Sequence, residues 1–239
     1  MTIPTDISSV TCHRVMIAAV MLLGGQADQA FAKEKDRSKL WQKEMAQFEH
    51  ADAESPAEPG GIVFVGSSSI RLWDLAESFP AIEPTPLNRG FGGSHLEGSI
   101  RHAELLILRH KPRLVIVYAG DNDIAAGKDA DRVLADYQKL VQIIHAELPD
   151  TSIAYIAIKP SIARWHLADT MRPANEKIAA ECEDNDRLLF VDIWTPMLGE
   201  EGQPRPELFV DDGLHLNDTG YDLWAELVGP LLEKHDVEE

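Results

Sequence analysis

Four clusters of polar residues stand where apolar runs end. They are Gly66-Ser67-Ser68-Ser69 after Ile62-Val63-Phe64-Val65, Asn88-Arg89-Gly90-Phe91-Gly92-Gly93-Ser94 after Leu87, Gly120-Asp121-Asn122 after Leu114 to Tyr118, and Asp212-Gly213-Leu214-His215. Hydroxyl, imidazole, carboxylate and spare amide donors are the set that nucleophilic acyl transfer needs. A serine hydroxyl is a poor nucleophile until an imidazole takes its proton, and the imidazole needs an acid on its other nitrogen to fix its tautomer. Asp212 and His215, three apart in one turn, can be held on the same side of the backbone. Attack on an ester carbonyl makes a negative oxygen that fixed donors must meet. The Gly93 amide, the Asn122 side chain and the nucleophile's own backbone amide could supply them.

Each cluster alone has a plainer reading. Serine at a turn is a preferred helix N-cap, and a glycine-rich segment is most often only a turn. An Asp-x-x-His pair can be a cap beside a surface imidazole. Spacing leaves the choice among Ser67, Ser68 and Ser69 open, whereas Asp211 as the acid would break the three-residue interval to His215.

The elements that must position these residues alternate between strand and helix. Ile62 to Gly66 reads as a buried strand and turn. A short helix over Ile70 to Phe79 and a strand ending at Leu87-Asn88 follow. A helix with Leu96, Ile100, Ala103 and Ile107 on one face leads to a strand over Leu114 to Tyr118. The next helix, Ala130 to Leu148, points Leu134, Tyr137, Val141 and Ile144 inward and stops before Pro149. A strand from Ile153 to Ile158, an irregular stretch Lys159 to Thr170, a helix through Ile178 and Cys182, and a strand Leu188 to Ile193 come next. A loop over Trp194 to Glu207 delivers the Asp212 segment. The closing helix, about Thr219 to Lys234, is expected to bury Trp224, Leu227, Val228 and Leu231. Such alternation predicts an α/β fold, a parallel sheet covered by helices on both faces, with the site outside the C-terminal strand ends.

The 239 residues suit one domain preceded by a leader, and the 44% hydrophobic content is ordinary for a globular core. A formal charge of -18 argues against nucleic acid and anionic membrane surfaces as partners. The apolar run Val15 to Leu23, followed by Ala30-Phe31-Ala32, resembles a secretory signal and is too short to span a bilayer. The expected organisation is a signal peptide over 1–32, a surface helix and linker over 33–61 and the main domain over 62–239, in a periplasmic or secreted protein. In that surface helix, Lys33 to His50, Leu40, Met45 and Phe48 make a thin apolar stripe, and Ala51 to Gly61 is the linker. Cys182 would remain without a disulfide partner and reads as a small buried hydrophobe.

The four clusters, in this order and spacing, resemble the blocks of the SGNH/GDSL hydrolase superfamily. Gly66-Ser67-Ser68-Ser69-Ile70 aligns with its first block, Gly93 with the second-block glycine, Gly120-Asp121-Asn122 with Gly-x-Asn, and Asp212 with His215 with the final Asp-x-x-His. The resemblance implies a three-layer α/β/α sandwich around a flavodoxin-like, five-stranded parallel sheet. It also implies esterase or lipase chemistry without metal, and no other cofactor is expected. A sequence with no evident long apolar lid segment or membrane-binding amphipathic helix favours a small-molecule ester as partner, with no stable membrane insertion. It makes Ser68 the nucleophile, His215 the base and Asp212 the orienting acid, with Gly93 and Asn122 in the oxyanion hole. One departure stands out: Ser67 replaces the family's usual aspartate before the nucleophile.

Other residues are weaker candidates. Arg164 and Trp165, in the irregular stretch with His166, could form a wall of the substrate pocket, with Arg164 facing a carboxylate, phosphate or sugar. Arg71, Arg89 and Asp123 are possible pocket neighbours but read better as salt-bridge or cap residues. His95 reads as an early helix residue; His102, His110 and His145 read as surface or boundary positions. Two other functions use the same residues: an acyltransferase on this fold, and a non-catalytic domain holding a phosphate or sugar at the serine turn. The second has no need of His215, and the turn lacks the lysine of a P-loop.

Overall fold

The computed structural model describes residues 41–236. The chain divides into two compact units, residues 1–43 and 44–239, and among the described residues all five strands lie in the second. The expected signal segment and the beginning of the expected surface helix lie outside the described residues.

Helix α1 runs to residue 54, one turn beyond the expected end at His50, with Met45 buried and Phe48 half-buried. Five strands follow: β1 (Ile62–Gly66), β2 (Leu87–Gly90), β3 (Leu114–Tyr118), β4 (Ser152–Ile156) and β5 (Leu188–Val191). All pairings are parallel, in the order β2-β1-β3-β4-β5, which is a flavodoxin-like sheet. β1 and β3 are buried along their whole length, the expected state of a parallel strand covered on both sides.

Alternation along β1 sends Ile62 and Phe64 to one face and Val63 and Val65 to the other. The first face meets a cluster of Ile70, Trp73, Phe79, Trp224, Val228 and Leu232. These come from α2 (Ser68–Arg71), α3 (Leu75–Ser78) and α9 (Asp218–Asp236), with the segments beside them. Trp224 packs its ring 4.8 Å from Tyr118 and 5.6 Å from Trp73, centroid to centroid. The opposite layer contains α4 (Leu96–Arg101), α5 (Ala103–Leu106), α7 (Ala130–Glu147) and α8 (Ala168–Glu183).

Several expected elements differ in detail. The helix expected over Ile70 to Phe79 is two helices, because Asp74 starts α3 by accepting the Glu77 N–H at 3.0 Å. The helix carrying Leu96 and Ile107 breaks at His102. A short helix α6 (Asp121–Ala125), unforeseen, begins directly after Gly120. In α7 the inward residues are Val133, Tyr137, Leu140 and Ile144, with Leu134 and Val141 only half-buried. The face is turned by one position because Asp136 also points inward, held by Lys128 at 2.8 Å and Arg132 at 2.9 Å. In α9 the buried residues are Trp224, Val228 and Leu232, with Leu227 and Leu231 only half-buried. β4 ends at Ile156, and the Asn175 side chain takes both backbone groups of Ile158, at 2.8 and 3.0 Å. β5 ends at Val191, two residues early, where Asp192 caps the turn through the Thr195 N–H.

Gly66 ends β1 at φ +148°, and a Cβ built there would lie 1.9 Å from the Tyr118 carbonyl oxygen. That carbonyl accepts the Ser67 N–H at 3.1 Å, while the Gly66 carbonyl accepts the Phe91 N–H at 2.9 Å. The serine turn is thereby fixed to both neighbouring strands. Replacing Gly66 by alanine should cost about 3 kcal/mol or more, since backbone must move to admit the methyl group. Thermal or urea denaturation of Gly66→Ala beside wild type checks this; an unchanged midpoint would contradict the packing described.

Candidate active site

The chain ends of the parallel strands bring three of the four clusters to one edge of the sheet. Ser67 occupies the N-cap position of α2 but makes no side-chain capping bond, and its hydroxyl is buried without a partner. Ser69 is buried too, leaving Ser68, the first residue of α2, as the half-exposed serine. Its Oγ lies 3.0 Å from His215 Nε2, and His215 Nδ1 lies 2.6 Å from Asp212 Oδ2. Hydroxyl, imidazole and carboxylate therefore stand in line.

Asp212 does two jobs. Its other oxygen accepts the backbone N–H groups of Leu214 and His215, at 2.8 and 2.9 Å. The carboxylate thus shapes the loop that presents the imidazole it faces. The His215 side chain, followed by the His215 backbone N–H, holds the Asp212 pKa down at about 2. The loop is anchored by a Val210 N–H bond to the His215 carbonyl and by Asn217, whose side chain donates to the Glu207 and Phe209 carbonyls. Tyr221 OH, one turn into α9, donates to the Ser69 carbonyl at 3.0 Å and ties the closing helix to the serine turn.

Asn122 lies in α6 and is half-buried. Its Nδ2 donates to the Ser94 carbonyl at 3.0 Å, and the neighbouring Asp123 carboxylate accepts the Leu96 N–H at 3.3 Å. Those two bonds fasten the glycine turn to the Gly-Asp-Asn turn. Gly93 is exposed there at φ +63°, the left-handed region that glycine tolerates best.

The two residues expected in a wall of the substrate pocket, Arg164 and Trp165, both have partners within the protein. Arg164 sends Nη1 to Asp121 Oδ2 at 2.8 Å and Nη2 to Asn122 Oδ1 at 2.9 Å. Trp165 stacks on Trp194 at 5.9 Å, with the Arg172 guanidinium 5.7 Å from each ring. His166 is exposed. Arg89 pairs with Asp52 of α1 beneath the Phe48 ring, Asp123 with Lys128, and Arg71 lies exposed near Glu44. His95 is buried at the start of α4, as an early helix residue. The surface or boundary reading fits the half-buried His102 and His145, but not His110. Its ring is buried, with Nε2 3.1 Å from the Leu105 carbonyl oxygen. Cys182 is buried against Tyr137, and burial pushes its thiol pKa up, away from reactivity.

Sequence reasoning missed Lys159. It is 1% exposed, and its ammonium reaches Ser69 Oγ at 3.1 Å, Tyr118 OH at 3.0 Å and Asp121 Oδ2 at 3.4 Å. Burial lowers its pKa while Asp121 opposes that shift. Burial works against the Asp121 charge as well, yet Lys159 and then Arg164 hold its pKa below the usual carboxylate range. The available signal was a charge inside an otherwise apolar strand end, Ile156-Ala157-Ile158-Lys159-Pro160.

Residues 73–223 match the GDSL-like Lipase/Acylhydrolase family, a span that begins after Ser68 and includes Gly93, Asn122, Asp212 and His215. The chain belongs to that family and is a carboxylic ester hydrolase. No curated protein sequence matches it. Among solved structures it resembles a protein of Streptococcus pneumonia provisionally described as a platelet activating factor. The two are 21% identical with a TM-score of 0.75, over 90% of this chain and 99% of that one. A GDSL-like lipase from Bacteroides thetaiotaomicron is 22% identical, TM-score 0.66, over 80% and 98% of the two chains. A carbohydrate esterase family 3 protein from Talaromyces cellulolyticus is 18% identical, TM-score 0.60, over 73% and 97%. These likenesses establish the fold. Among the described residues, no group of three or more His, Cys, Asp or Glu could hold a metal ion, and no helix is long and apolar enough to cross a membrane.

The low pKa of Asp212 has a signed consequence. A carboxylate whose folded pKa is depressed contributes stability that is present above its unfolded pKa and is lost as pH falls through the folded one. Asp212→Asn should therefore lower Tm by a constant amount above about pH 4, and the gap to wild type should close as pH falls toward about 2. Calorimetric scans of both proteins over that range check it. A gap that widens toward acid would contradict the assigned pairing.

Proposed function

We propose that the chain is a serine esterase that hydrolyses a carboxylic ester through a covalent acyl-serine. The observation that carries this reading is the continuous line Ser68 Oγ, His215, Asp212, at 3.0 and 2.6 Å. Ser68 Oγ attacks the ester carbonyl carbon as His215 Nε2 takes the hydroxyl proton. The carbonyl oxygen becomes negative and is met by the backbone N–H groups of Ser68 and Gly93 and by Asn122 Nδ2. Ser68 stands in the first turn of α2, where backbone N–H groups have no intrahelical acceptor. The imidazolium then returns its proton to the departing alkoxide, which leaves as the alcohol. Water, deprotonated by His215, then attacks the acyl carbon; the bond to Ser68 Oγ breaks, the imidazolium returns its proton to that oxygen, and the carboxylic acid leaves. Asp212 keeps its charge throughout, steadying the imidazolium from Nδ1.

The site is wet, with the Asp212 side chain 48% and the His215 side chain 29% exposed. That openness favours a small, soluble ester over one drawn from packed lipid. The same reading places the enzyme in the periplasm or outside the cell, on the strength of the apolar run Val15 to Leu23 and the Ala30-Phe31-Ala32 pattern.

Purified Ser68→Ala should hydrolyse p-nitrophenyl acetate with kcat/KM reduced by roughly 10⁴-fold or more. His215→Ala should lose a similar factor, and the double variant no more than either single, because the two act as one unit. Near-wild-type hydrolysis by Ser68→Ala would end the acyl-serine reading. Hydrolysis that gives way to transfer when alcohols or sugars are added would identify an acyltransferase instead.

A further inference from the structure

We propose that Arg164 is a positioning residue of the oxyanion hole, holding the Asn122 amide in the orientation that turns Nδ2 toward the reacting carbonyl. This rests on the acyl-serine reading and adds to it the group that decides which way the asparagine faces. A primary amide has two orientations related by a half-turn. One offers N–H donors to a developing oxyanion; the other presents a carbonyl oxygen that repels it.

The neighbours of Asn122 admit one of the two. Ser94 presents a carbonyl oxygen, an acceptor, to Nδ2 at 3.0 Å. Arg164 presents Nη2, which can only donate, to Oδ1 at 2.9 Å. Turning the amide over would set donor against donor and acceptor against acceptor, and both hydrogen bonds would be lost. The Ser94 bond uses one hydrogen of Nδ2 and leaves the other for the substrate. A bond from a cation to Oδ1 also polarises the amide, so that the remaining N–H donates more strongly.

Arg164 is itself held firmly enough for this role. Its fork spans successive residues of α6, with Nη1 on Asp121 Oδ2 at 2.8 Å. Asp121 is 4% exposed; its Oδ1 accepts the Asn122 backbone N–H at 2.8 Å, and its Oδ2 also faces the Lys159 ammonium. The loop bearing Arg164 docks on the histidine loop through the Ala163 N–H and the Gly213 carbonyl, at 3.0 Å. Lys159 and Arg164 are two cations around the one buried Asp121 carboxylate, which fixes the Arg164 fork from behind. A lysine at 164 would bring charge without the fork that spans both partners.

A structural ion pair would look the same in the folded protein, so the test is a double-mutant cycle on the full chain with p-nitrophenyl acetate. Arg164→Met should lower kcat by roughly 10- to 100-fold, the scale of a misplaced catalytic group, with KM within about twofold. In an Asn122→Ala background the same substitution should cost less than about threefold, since nothing is left to position. Arg164→Lys should recover only part of the loss, and millimolar guanidinium should restore activity to Arg164→Met but not to the double variant. Equal losses in both backgrounds would overturn the proposal, as would a loss that follows Tm and ignores guanidinium. Should Arg164→Met fail to fold, Arg164→Lys and Arg164→Gln complete the cycle. The two readings fail differently. Asn122→Ala with wild-type kcat removes the oxyanion role and this inference with it, whereas a large Asn122→Ala loss without coupling to Arg164 removes this inference alone.

Discussion

The hydrogen bond between Ser68 Oγ and His215 Nε2 is the contact on which the rest of this structure depends. It joins residues 147 apart in sequence at 3.0 Å, so almost the whole domain must be correct for it to form. The serine comes from the end of β1, near the middle of the sheet, and the histidine from a loop beyond β5, at its edge. The distance between them is closed by the loop's own bonds, by Tyr221 reaching the Ser69 carbonyl, and by α9 burying Trp224 against Tyr118. Helix α9, packed on the same face of the sheet as the serine helix α2, thus helps fix where His215 meets Ser68.

Close backbone approach is the second constraint. Gly66 lies against the Tyr118 carbonyl, and at Gly90 a Cβ would stand 2.2 Å from the Arg71 amide nitrogen. Strands β1, β2 and β3 can therefore bring their loops together without side chains between them. Beneath these loops lies the ion cluster of Lys159, Asp121 and Arg164. Burying one such charge alone is costly, and paired, hydrogen-bonded burial is the usual resolution. The cluster holds its members at fixed distances behind the serine turn and the asparagine, which a solvated surface pair would not do.

Much of this was legible in the sequence. Apolar β-branched runs ending in glycine located β1 and β3, and alternation with amphipathic segments specified a parallel sheet. The clusters Ser68, Gly93, Asn122 and Asp212-His215 could be picked out because chemistry demands those residue types together, the first three of them just beyond strand ends. Helix interruptions were not legible: the break at Leu72 to Asp74 comes from the Asp74 capping side chain, and that at His102 falls within a continuous apolar pattern. The inward face of α7 lies one position from the expected one because buried Asp136 is held there by Lys128 and Arg132, charged neighbours that apolar periodicity leaves out. Arg164 read as an open pocket residue because sequence shows a charge but not its partner. Lys159 escaped notice for the converse reason, since its partners Ser69, Tyr118 and Asp121 come from two other segments of the chain.

The central claim is that Ser68, and not the serine on either side of it, forms the covalent bond. Incubation of the purified protein with a fluorophosphonate, followed by fragmentation mass spectrometry of the peptide spanning Ser67 to Ser69, measures this directly. One phosphonyl group is expected, on Ser68, formed in step with the loss of esterase activity and absent from His215→Ala on the same timescale. An adduct on Ser67 or Ser69, or full inhibition with no adduct on the protein, would contradict it.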